Sequence, residues 1–205
     1  MSRDVLEMVQ AMDSQGLEWH LAMQCAPLLV GVKISNLVML PASCEAAIQR
    51  LLAHSELSCT LLRRTEHKVT LLVYREEELR QFLMQAETAE LLKAEGYPAG
   101  DLQSILSVLR TRYEECRSGE GGFPHEMGLF LGYPAEDVRG FIELGGQNAL
   151  YSGYWKVYAH VEEKKRIFVA YEEARDTVIC LLHGGCSLTD ILRKYAKAAS
   201  LPAAC

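Results

Sequence analysis

The sequence predicts an α+β fold, a small antiparallel sheet of about three strands within residues 36–74 packed with helices, followed by a helix-rich C-terminal two-thirds. Three observations carry this. Ser58-Cys-Thr-Leu-Leu-Arg63 and Lys68-Val-Thr-Leu-Leu-Val-Tyr74 are rich in β-formers, and the four residues Arg64-Thr-Glu-His67 between them are the right length for a hairpin loop. A run around residues 36–40, ending at Pro41, supplies a third strand. From Glu76 onward apolar residues recur at three- and four-residue spacing almost to the end. Alternating strands and helices would also suit a parallel sheet, but the short loop between the last two strands favours antiparallel pairing.

The elements follow in order. Residues 3–12 form a first helix with Val5, Met8, Val9 and Met12 on one side. Asp13-Ser14 then caps a second helix running toward Cys25, and Pro27 marks its far end. Ser43 caps a helix through His54, and the hairpin follows. One helix is expected over 76–95, closed by Gly96-Tyr-Pro98, and another over 99–117, broken by Gly119-Glu-Gly-Gly122. Two short helices lie within residues 123–146: Pro124 opens the first, Gly132-Tyr-Pro134 closes it, and the second begins at Ala135 with acids in its first turn. Helical patterns return at 161–183 and 187–199, with Gly184-Gly185 between them and a frayed tail at 201–205. One domain over residues 1–200 accommodates all of this.

Composition narrows the function classes. The chain has 205 residues, 49% hydrophobic and 23% charged, without an uninterrupted apolar stretch that would span a bilayer. Net charge is -6 and the basic residues are not gathered into a stripe, so no nucleic-acid or membrane partner is expected. The start lacks a secretory signal pattern, and the seven cysteines form no short Cys-x-x-Cys pair, so the expected location is cytoplasmic with thiols free.

The most tightly specified stretch is Phe123-Pro-His-Glu-Met-Gly-Leu-Phe-Leu-Gly-Tyr-Pro134 with Glu136-Asp-Val-Arg-Gly-Phe-Ile142. Together with Gly153-Tyr-Trp-Lys-Val-Tyr158, Cys25-Ala-Pro27, Gly31-Val-Lys33 and Ser35-Asn-Leu37, it resembles domain-of-unknown-function family 3793, a bacterial family found mainly in anaerobes. The resemblance covers nearly the whole chain. It implies no activity, cofactor or catalytic residue.

The residues themselves raise three functional readings. The leading one is a small-molecule or cofactor-binding protein with its pocket near Cys25 and His125. Tyr133, Tyr154, Trp155 and Lys156, with Lys33 and Asn36, would hold a planar or anionic ligand, since aromatic rings with polar tips commonly line clefts. The ordinary alternative makes Trp155 a core residue. The second reading is a cysteine-dependent enzyme in which Cys25 is the nucleophile, His125 its base, and Glu126 or Asn36 orients the ring. A helix C-terminus raises a thiol's pKa, which counts against it. His125-Glu126 also begins a zinc-helix pattern, but Leu129 stands where the second histidine is needed, so no metal site is expected. The third reading is a protein-interaction module without a pocket. No particular cofactor is named by the sequence.

Overall fold

The computed structural model describes residues 3–196. The last residues of the final expected helix and the expected frayed tail lie outside them. The chain begins with helices α1 (Arg3–Ala11) and α2 (Leu17–Leu29), then strand β1 (Ser35–Pro41), a single 3-10 turn and helix α3 (Glu45–Ala53). The hairpin β2 (Leu57–Arg64) and β3 (Lys68–Arg75) leads into α4 (Glu76–Leu83), α5 (Ala86–Ala94) and α6 (Leu102–Ser118). Two short helices, α7 (Met127–Phe130) and α8 (Ala135–Glu143), precede a two-stranded ribbon of β4 (Tyr151–Ser152) and β5 (Lys156–Val157). Helices α9 (Val161–His183) and α10 (Leu188–Tyr195) complete the fold. No helix among the described residues is long and apolar enough to cross a membrane.

The main sheet is antiparallel, and its order is β1-β3-β2; the pairing of β2 with β3 is the one the hairpin signal predicts. β3 is central and has protein on both faces, so its residues after Lys68 are all buried, and that explains why Thr70 and the closing Arg75 are its only strongly polar residues beyond Lys68. Val69, Leu71 and Val73 point into a core shared with α1, α2, α3, α9 and α10. Leu72 and Tyr74, on the opposite face, join Leu79, Leu106, Leu109 and Phe130 in a second core beneath α4 to α8. A bulge between Leu61 and Arg63 interrupts the register of β2 against β3. Leu62 then joins the second core while Leu61 packs on the first.

Several local expectations are corrected. Asp13 makes a side-chain turn, accepting from the Gln15 amide at 3.0 Å, and α2 begins only at Leu17. Pro27 lies inside α2, which continues to Leu29; its carbonyl accepts the Val32 and Lys33 amides at 2.8 and 3.0 Å and turns the chain back toward β1. Ser43 caps nothing: it sits in the 3-10 turn, and Cys44 precedes α3. The helix expected over 76–95 is two helices, because Gln85 adopts an extended backbone (ψ 143°) between them. No glycine or proline announces that break.

Candidate functional site

The site is built on the corner between α7 and α8. Gly132, at φ 71°, ends α7 in a left-handed turn. Its amide donates to Leu129 O and the Tyr133 amide to Gly128 O, both at 2.9 Å, the paired bonds of a Schellman cap. A side chain is excluded at Gly132 for a second reason: a Cβ would lie 2.8 Å from Ile34 Cγ1. Pro134 then starts α8 at once, so Tyr133 is held at the apex.

Asp137, in the first turn of α8, fixes the ring packed against Tyr133. Its carboxylate is 1% exposed and accepts from Trp155 Nε1 at 2.7 Å, the Tyr158 amide at 2.7 Å and the Ala159 amide at 3.3 Å. These bonds pin β5 and the start of the next loop to α8. Gly140, one turn further on, lets the chain approach, since a Cβ there would sit 2.6 Å from Tyr158 Cγ. Trp155 then stacks on Tyr133 with ring centroids 4.6 Å apart and 25° between planes.

Beside this stacked pair is a concavity of about 490 Å³, within the usual size range of small-molecule pockets. Five of the residues expected from sequence line it: His125, Tyr133, Tyr154, Trp155 and Lys156. Phe123 and Phe141 flank the His125 ring at centroid distances of 5.9 and 5.0 Å. Leu37, Met127, Leu131 and Val138 add apolar lining. Polar function is sparse. Burial pushes the Tyr133 phenol up to about 12, so it stays protonated. Lys156 donates from Nζ to Gly146 O at 2.5 Å, and an ammonium has two further hydrogens to offer.

The other expected residues lie elsewhere. Cys25 is fully buried in the core shared by α2 and the sheet, while His125 is exposed at the pocket. The structure does not bring this pair together. Burial pushes the Cys25 thiol up to about 12, the reverse of what a nucleophile needs; the nearby Lys33 charge and a bond from Asn36 Nδ2 at 3.7 Å oppose the shift without cancelling it. Asn36 serves the same interior, its Nδ2 donating to Gln24 O at 2.5 Å and its Oδ1 accepting from Lys33 Nζ at 2.6 Å. Glu126 turns away from His125. It is 2% exposed, accepting from Tyr97 Oη at 2.9 Å and Arg112 Nη1 at 2.8 Å, and so ties α7 to α6.

Sequence reasoning passed over Asp137 and the two phenylalanine walls. An acid in a helix's first turn ordinarily reads as a solvated partner of the dipole, and only the fold shows that three donors converge on it. Phe141 carries the periodicity of an inward-facing residue, and it is half-buried because one side faces the pocket.

This is an α+β domain with an aromatic pocket at a helical corner. A family model described as "Protein of unknown function (DUF3793)" matches residues 21–192, and the chain belongs to that family. The match takes in every residue of the pocket. Neither the curated proteins nor the solved structures give a match.

Proposed function

We propose that the protein is a cytoplasmic binder of a small planar molecule carrying a negative charge, held in the pocket lined by Tyr133, Trp155, His125 and Phe141. The observation that carries this reading is a wall of flat rings around about 490 Å³ with Lys156 as the only lysine or arginine in its lining. Apolar and aromatic lining with a few polar groups is the usual make-up of such sites: the rings supply contact area, and the charge sets orientation. The flat rings in the lining suit a planar ligand, and a lysine not paired with a carboxylate among the described residues suits an anion. The six described cysteines are all free thiols, in keeping with a reducing compartment.

Native mass spectrometry of the protein as purified without oxygen, compared with its denatured mass, tests the reading. The expected result is an adduct of small-molecule mass that a Lys156→Met, Tyr133→Ala double variant no longer retains. An adduct retained equally by that variant counts against this pocket.

A further inference from the structure

A second concavity, of about 640 Å³, lies across the α7–α8 corner from the first: Leu131 and Tyr133 line one, Gly132 and Pro134 the other. Its lining includes Lys33, Thr88, Lys164 and Tyr171. Lys33 is only 7% exposed, yet no carboxylate among the described residues pairs with it. Its Nζ donates to the neutral Asn36 Oδ1 at 2.6 Å and lies 5.2 and 5.8 Å from the ring centres of Tyr133 and Tyr171. Buried ammonium groups are ordinarily matched by an anion, so this amine is exceptional. Burial pulls it down to about 8, well below an ordinary lysine.

The neighbours decide which ligand suits it. Lys164 is already committed to Glu136 at 2.9 Å, and Glu87 and Glu163 also line the cavity. With three acids around two amines, a polyanion is disfavoured. An uncharged electrophile is not.

We propose that Lys33 is a reactive amine that condenses reversibly with a small uncharged aldehyde or ketone admitted to this cavity. The neutral nitrogen's lone pair attacks the carbonyl carbon, the carbon–oxygen π pair moves onto oxygen, and a proton passes from nitrogen to that oxygen to give a carbinolamine. The nitrogen lone pair then expels the hydroxyl, which leaves as water with one proton from solvent, and an iminium remains. Its positive charge faces the Tyr133 and Tyr171 rings, where a cation is favoured. This inference does not rest on ligand binding in the first pocket.

The test is reductive labelling of the wild-type protein with benzaldehyde and sodium cyanoborohydride, followed by peptide mapping over a range of pH. At pH 7.5 an amine titrating near 8 is neutral roughly 200 times more often than an ordinary lysine. The expected result is that Lys33 labels at least about tenfold faster than the exposed Lys68 and Lys93, with a rate that rises up to about pH 8 and then levels as free amine saturates. Labelling of Lys33 no faster than Lys68 and Lys93, or a rate still climbing steeply above pH 9, would overturn it.

Discussion

The carboxylate of Asp137 gathers three donors from the β4–β5 ribbon and the loop after it, and almost no water reaches it. Removing its charge while keeping its shape leaves an amide NH₂ facing N–H groups. Asp137→Asn should therefore lower stability by about 1–3 kcal/mol in urea unfolding. It should also red-shift Trp155 emission as the indole loses its partner and gains water. Of the candidate side chains, those on the corner itself were legible from sequence, because Pro124, Gly132 and Pro134 punctuate it and leave His125 and Tyr133 as the polar tips. The role of Asp137 was not legible, since nothing local distinguishes it from an ordinary acid near a helix N-terminus. Glu126 was misread for a related reason: its partners Tyr97 and Arg112 lie on elements 29 and 14 residues away, beyond any local pattern.

At the scale of elements, the corner works because α8 and the β4–β5 ribbon approach at Gly140. Gly140→Ala forces its Cβ against the Tyr158 ring and should cost about 1–3 kcal/mol in the same unfolding measurement, as overpacking does. Wild-type-like stability would mean that the ribbon shifts freely and does not define the pocket wall. The long amphipathic helices were readable from spacing, and the hairpin from its loop length. The ribbon was not, because two strands of two residues each give too short an alternation to register. The break between α4 and α5 was hidden by continuous helical periodicity on both sides of an extended Gln85.

For the whole molecule, the sheet is covered on both faces, and α9 ties the layers together. Phe168 and Tyr171 in its first half pack with Trp155, whereas Ala174, Val178 and Ile179 further on enter the core beside α2. Cys25 sits in that core, and its burial has a pH signature. The thiol is pushed up from 9.0 to about 12 on folding, so the folded state holds the proton more tightly. That contribution is complete below about pH 9 and is lost as pH rises toward 12. Stability of wild type relative to Cys25→Ala should thus be flat at neutral pH and fall above pH 9, as read from urea midpoints. A relative stability that stays flat to pH 11 would contradict the buried protonated thiol.

The pocket's Trp155 provides its own reporter, because the chain has only two tryptophans and Trp19 lies in a separate region beside His20 and Met39. The most direct test of ligand binding is a fluorescence titration of a Trp19→Phe variant with a panel of planar aromatic carboxylates. The expected result is saturable quenching of Trp155 by at least one member, weakened about tenfold or more by Lys156→Met, a loss of about 1.4 kcal/mol. Quenching that never saturates for any member, or that saturates equally well without the Lys156 charge, would contradict it.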